Sequence, residues 1–219
     1  VIQLVSVNEA TPSVLDQVDG ERVWSGIRKS PVDTASSLWL SEINLSGDGQ
    51  ADLAVHGGLD KAVYAYPSEH LAGWSVELGE SLGAAPFGEN LSTVGVLEHE
   101  ARIGDVWEWG TAVLQVTQPR WPCYKLVLHR GRSDIQKRML SSGRTGWYLR
   151  VLRPGEVPAS GPIVVPAQDP RTVTVRDAHL ALRDTALRQP DLVRSVMEHP
   201  ALAEQWRAPL AERLARHVR

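Results

Sequence analysis

The only cysteine of this chain, Cys123, lies in "QPRWPCYK", residues 118–125. Pro119 and Pro122 each remove a backbone donor and restrict the residue before them. The stretch therefore reads as a stiff loop, neither an ordinary helix nor a central strand. Arg120 and Lys125 place positive charge nearby in sequence. Near in space, they would favour the thiolate, the form that a soft metal or an electrophile requires. The competing reading of a lone cysteine is a small buried hydrophobe. Lysine points the same way. Of 23 basic residues only Lys29, Lys61, Lys125 and Lys137 are lysines. A chain that uses arginine for generic surface charge draws attention to the first three as sites that need a compact ammonium.

Three other segments carry candidate chemistry. "SGIRKSPV" (residues 25–32) puts Arg28 and Lys29 after a strand-like run, where they are either a basic site or a solvated strand end. "VHGGLDKAVYAYPSEH" (residues 55–70) leads from His56 through Gly57 and Gly58 to Asp60 and Lys61. Paired glycines let backbone N–H groups approach an anion, with Lys61 as countercharge; a tight turn explains them equally well. Alternation beyond Lys61 puts Tyr64 and Tyr66 on one face. His70 either faces the same cavity or sits on the surface of a first helical turn. "PFGENLST" (residues 86–93) offers Glu89 and Asn90, which can hydrogen-bond a heterocycle or cap a turn.

The elements that must position these residues are mostly strands. "IQLVSV", "RVWSGI", "LWLSEINL", "KAVYAY", "DVWEW", "AVLQVT" and "WYLRVL" are short runs rich in Val, Ile, Leu, Trp and Tyr, and Gly110 suggests a hairpin. Such a series predicts a barrel or sandwich. Two helices interrupt it. One has Pro67 near its first turn and ends at Gly79. The other has Ser133 and Gln136 in capping-box spacing and ends at Gly143. A Pro- and Gly-rich stretch, "RPGEVPASGP", ends this part. The expected division is a barrel domain over residues 1–165 and a helical extension over residues 166–219. In the extension, Thr174 and Asp177 cap a first helix and Pro190 opens a second. Leu202, Trp206, Leu210 and Leu214 form one stripe, which Pro209 interrupts.

Composition bounds the function. With one cysteine, an intrachain disulfide, a Cys-ligated zinc finger and a four-cysteine iron–sulfur cluster are excluded within one chain. Net charge is −3, which argues against a general nucleic-acid binder. Residues 171–219 nevertheless hold nine Arg against six acids, leaving a DNA-reading helix-turn-helix as the lesser alternative to a helical cap on the barrel. No apolar run reaches membrane-spanning length and the opening residues show no signal-peptide pattern, so the expected setting is soluble and cytoplasmic.

Taken in order, "GIRKSPV", "VHGGLDKAVYAYP", "FGENL", "IGDVWEWGTAVLQVTQPRWPCYKL" and "TGWYLRVL" resemble the MOSC domain family, named after the C-terminal domain of molybdenum-cofactor sulfurases. The trailing helices resemble the extension of its bacterial YiiM-like branch. The resemblance spans nearly the whole chain. It implies a mainly β fold with α, a MOSC-type β-barrel with a small C-terminal three-helix extension. It also implies binding of molybdenum cofactor, a phosphate-bearing pterin–dithiolene, with Cys123 as metal ligand. Lys29, His56, Lys61 and Arg120 would hold the phosphate and pterin, assisted by Gly57, Gly58, Asp60 and Lys125. Glu89 and Asn90 would shape the pocket, and His70 or Tyr66 would deliver a proton. The implied activity is reduction of N-hydroxylated bases or hydroxylamines. Because no iron–sulfur or flavin module is visible, electrons would come from a separate donor protein. Three alternatives stay open: a sulfur carrier with a Cys123 persulfide, a cofactor-storage module without turnover, and a pyridoxal phosphate site with Lys61 as Schiff-base lysine.

Overall fold

The computed structural model describes residues 1–51, 57–183 and 189–217. Twelve strands are described: β1 (Ile2–Glu9), β2 (Ser13–Val18), β3 (Glu21–Ser25), β4 (Ser30–Pro31), β5 (Ser37–Leu40), β6 (Val63–Pro67), β7 (Leu91–Val94), β8 (Val106–Trp109), β9 (Ala112–Pro119), β10 (Trp147–Arg153), β11 (Gly155–Pro158) and β12 (Gly161–Ile163). Eight of them form one curled sheet, seven in the order β12-β1-β7-β6-β10-β9-β8 and the eighth, β4, pairing with β1 beside that path. Its two edges meet in an antiparallel bridge between Glu108 and Val164, so the sheet closes as a barrel and hides its edges. The hairpin at Gly110 joins β8 to β9. Among the described residues only β6 and β7 pair in parallel, which requires a crossover between them. Helix α1 (His70–Leu78) lies in that connection, closed by Gly79 in the left-handed conformation.

Alternation along the strands buries Trp107, Trp109, Leu114, Val116, Trp147 and Leu149 inside the barrel. Trp107 and Trp147 meet edge to face at 5.9 Å. The C-terminal helices α4 (Val175–Ala181), α5 (Pro190–Met197) and α6 (Arg207–His217) join the same apolar cluster through Val175, Val193, Val196, Trp206 and Leu210. Leu202 is buried as well and Leu214 packs against the cluster, so the four-residue stripe faces the barrel. Pro209 falls in the first turn of α6, where its missing N–H costs no helical bond. Thr174 and Asp177 form the expected capping box.

Several local expectations need correction. Pro67 ends β6 rather than opening α1. Strand β2, a partner of β3, carried no sequence signal of comparable strength. In "LWLSEINL" the strand stops at Leu40, and the chain turns back so that Leu45 bridges to Leu40. "QPRWPCYK" is more regular than a loop: Gln118 and Pro119 finish β9, and Tyr124 opens a short helix, α2 (Tyr124–Arg130). Ser133 and Gln136 form no capping box. The N-cap of α3 (Ile135–Ser142) is Asp134, whose carboxylate pairs with Arg132 and Arg138 instead. Gln136 donates to the carbonyl of Pro122 at 3.1 Å and thereby braces the cysteine segment.

Gly146, in the turn before β10, has φ 62°, and an added Cβ would land on the carbonyl oxygen of Ala65. Gly146→Ala is expected to lower unfolding stability by more than about 1 kcal/mol in urea denaturation, because backbone cannot yield as a side-chain tip can.

Candidate functional site

Segments from across the chain converge at one end of the barrel around a cavity of about 120 Å³. They contribute residues 25–27 and Lys29 at and after the end of β3, residues 48–51, Lys61 and Ala62, then Phe87, Gly88 and Asn90, and finally Arg120, Cys123 and Lys125; Tyr64 and Tyr148 come from β6 and β10. Four basic side chains, Lys29, Lys61, Arg120 and Lys125, line it against the single carboxylate of Asp48 among the described residues. A second cavity, about 510 Å³, lies between this end of the barrel and the C-terminal helices. Lys61, Cys123 and Tyr148 line both, so the thiol stands at the junction.

Local structure explains how Cys123 is held. The backbone N–H of Arg120 donates to the carbonyl of Gly146 at 3.1 Å, while Gln136 holds Pro122. Cys123 itself is extended, is half-buried and is not in a disulfide. The Arg120 side chain is buried. Its guanidinium lies 5.1 Å from the centre of the Tyr64 ring and donates to the sulfur of Met139 at 3.4 Å. Burial opposes its charge, but interaction with Tyr64, Tyr148, Cys123 and Glu89 outweighs that and raises its pKa. Arg120 is thus a fixed cation coupled to the thiol.

Lys29 ion-pairs with Asp48, and both side chains are more than nine-tenths buried. Burial lowers the lysine's pKa, and Asp48 acts against that shift. Asp48 also accepts from Asn90 Nδ2 at 2.8 Å and from the backbone N–H of Ala10 at 2.9 Å. Asn90 accepts in turn from the N–H of Tyr64 at 3.1 Å. Sequence reading missed Asp48. The signal that could have found it is that a buried lysine must have a carboxylate partner. Tyr148 was missed too; burial raises its pKa, and Arg120 acts against that shift.

Glu89 does not line the cavity. It is fully buried behind Asn90, accepting from the N–H of Phe87 at 3.0 Å and the hydroxyl of Ser92 at 3.3 Å. Burial raises its pKa to about 7, against the pull of those hydrogen bonds and of Arg120. A raised folded-state pKa means that the folded protein holds a proton which the unfolded chain releases near pH 4.5. The stability this proton confers is full below pH 4.5 and is lost as pH rises through about 7. Glu89→Gln is therefore expected to match the native protein near pH 4.5 and to exceed it at pH 8, by up to about 3 kcal/mol in urea denaturation.

Other expected residues lie elsewhere. Asp60 pairs with Arg150 at 2.8 Å and lines neither cavity. Gly58 has φ 94° and donates to Gln50 Oε1 at 2.8 Å, fixing the turn that carries Lys61; neither Gly57 nor Gly58 lines a cavity among the described residues. His56 lies outside the described residues. His70 and Tyr66, taken as proton donors, are not brought to Cys123. His70 Nε2 is 2.8 Å from Glu98 Oε2, whose other oxygen accepts from the N–H of Gly146 at 2.9 Å. The Tyr66 hydroxyl accepts from Trp74 at 2.6 Å. These groups brace the turn that holds Arg120. Among the described residues, no three His, Cys, Asp or Glu side chains gather as a metal site, and no helix is long and apolar enough to cross a membrane.

Comparison with known proteins gives the same frame. The family model described as "MOSC domain" matches residues 52–164. Protein YiiM of Escherichia coli (strain K12) is 39% identical over 197 residues, covering 86% of this chain and 84% of that protein. A protein of Gibberella moniliformis named "Reductase" is 31% identical over 157 residues, covering 67% of this chain but only 28% of that longer protein. The crystal structure of YiiM from Geobacillus stearothermophilus superposes with a TM-score of 0.80 at 29% identity, covering 98% of this chain and all of that one. The chain belongs to the MOSC domain family, within its YiiM-like branch.

Proposed function

We propose that this protein binds molybdenum cofactor and reduces N-hydroxylated compounds, hydroxylamines or N-hydroxylated bases, with electrons from a separate donor protein. One observation carries the reading: Cys123 stands where a small cationic cavity meets a larger one. The residues suit the group. Lys29, Lys61, Arg120 and Lys125 provide the positive charge that a phosphate-bearing pterin needs, and a thiolate is a donor suited to a soft metal. The name of the Gibberella relative agrees with a reductive activity.

When bound, molybdenum cofactor supplies two-electron redox chemistry at the end of the Cys123 side chain. The balanced reaction is R–NHOH plus two electrons and two protons to R–NH₂ plus water. The chain's own residues do the rest. Arg120, charged and immobile, favours the thiolate and attracts an anion. Lys61 and Lys125 add charge from a 3₁₀ turn and from helix α2. The Lys29–Asp48 pair shapes the floor through Asn90. Tyr148, with a hydroxyl that stays protonated at neutral pH, is the proton-bearing side chain placed at the junction.

The test is metal analysis of protein from a cofactor-competent host, followed by turnover of a hydroxylamine with an artificial electron donor. Loading of molybdenum without reduction of any N–OH compound would sink the reductase claim. A mass increase of about 32 Da confined to Cys123 would favour the persulfide carrier instead.

A further inference from the structure

Glu98 is a carboxylate that lines neither cavity, and its side chain is only 7% exposed. Removing a carboxylate from water is costly unless its oxygens find partners. Both do. Oε2 lies 2.8 Å from His70 Nε2 on α1, and Oε1 accepts from the backbone N–H of Gly146 at 2.9 Å. The Glu98 carbonyl accepts at 2.8 Å from the N–H of Arg176, in the first turn of α4. One residue thus ties α1, α4 and the turn before β10 together.

That turn carries the groups that surround the thiol. The carbonyl of Thr145 accepts from the Tyr64 hydroxyl at 2.8 Å, and the carbonyl of Gly146 accepts from the N–H of Arg120 at 3.1 Å. The second bond continues the β9–β10 ladder past its last pair, Trp147 with Pro119. Tyr64 in turn lies under the Arg120 guanidinium. On its far side the Gly146 backbone runs so close to β6 that an added Cβ would meet the carbonyl oxygen of Ala65. Gly146 is therefore pinned between Glu98 and β6, and Arg120 hangs from it. Arg120 and Cys123 interact electrostatically.

We propose that Glu98 is a positioning residue for Cys123: it fixes the Gly146 turn, and thereby how strongly Arg120 favours the thiolate. The relevance to catalysis rests on the reading of Cys123 as metal ligand; the effect on the thiol does not. Reach and charge of the carboxylate can be separated. Glu98→Asp keeps the charge and withdraws the oxygens by one methylene. Glu98→Gln keeps an acceptor for the Gly146 N–H and removes the charge.

Because Cys123 is the only cysteine, iodoacetamide alkylation of the full chain without metal, followed by intact mass, reads this thiol alone. At pH 7 the rate follows the thiolate fraction. Glu98→Asp is expected to slow alkylation about threefold to tenfold, as Arg120 loses its setting. Glu98→Gln is expected to react at the native rate or up to about twofold faster, because deleting a negative charge by itself favours the thiolate. Near about pH 10, where every form is a thiolate, the three rates are expected to converge. A native rate in Glu98→Asp overturns the proposal. So does slowing of more than about threefold in Glu98→Gln, which decides the matter alone if the Asp variant does not fold. A difference that persists at high pH also overturns it, since that would report access to the thiol and not its ionisation. In protein from a cofactor-competent host, molybdenum per chain is expected to fall in Glu98→Asp and to hold in Glu98→Gln. The expected alkylation order in a native protein that takes up no molybdenum would support the positioning role and defeat the cofactor reading.

Discussion

Cys123→Ala is expected to yield folded protein that retains little molybdenum and has lost more than about 100-fold in N–OH reduction. Loss of a side chain that merely supports a ligand costs metal sites about 10–100-fold, so loss of the proposed ligand itself should exceed that range. The fold should survive. Cys123 is half-buried at a cavity junction, and its segment is held by Arg120–Gly146 and Gln136–Pro122 bonds that do not involve the thiol. Metal content per chain and turnover with an artificial donor, alongside an unchanged urea midpoint, form the measurement. Retention of metal at the native level would remove Cys123 from the ligand set. Retention of activity would remove it from the reaction.

Asp48→Ala is expected to have the largest effect on stability, about 3–5 kcal/mol at pH 7, the usual result of leaving a buried charge without its partner. The substitution strands Lys29 and removes the acceptor used by Asn90 and by the N–H of Ala10. Its pH dependence gives a second signature. With Asp48 gone, burial dominates, and the folded chain holds Lys29 neutral at a pH where the unfolded chain still binds the proton. Stability of the variant should therefore rise with pH toward 10.5, the lysine's ordinary value. Replacing both residues, Lys29→Met with Asp48→Leu, should recover much of the loss, since an apolar pair of similar volume removes the unpaired charge. It should also weaken binding of an anionic ligand in the small cavity. A loss at pH 7 that is constant up to pH 10 would contradict this account.

Much of this architecture was legible because it follows local rules. Strand runs of Val, Ile and Trp, left-handed glycines after α1 and α3, and the Thr174–Asp177 box depend on neighbours a few residues away. Where a side chain found a distant partner, the local rule failed. Gln136 had the right spacing for a capping box and reached Pro122 instead. Asp60 stood beside Lys61 in an apparent anion motif and turned to Arg150. His70 and Tyr66 shared a segment with Lys61, yet the strand-to-helix turn sends them to Glu98 and Trp74.

By itself, the sequence determined the residue types available for the chemistry: one thiol, three scarce lysines and a Pro-braced arginine, in an order that marks the family. Proline restriction and amino-acid identity are local properties, so no fold was needed to read them. Tertiary structure alone decided which of these groups meet. It buried Lys29 against Asp48, 19 residues away, and packed Arg120 on Tyr64. It also set Gln205 against Gln118, 87 residues away, to wall a second cavity beside Cys123. The physical reason is burial. A charge or an amide removed from water must find a partner, and barrel closure together with docking of the C-terminal helices determines which partners are within reach.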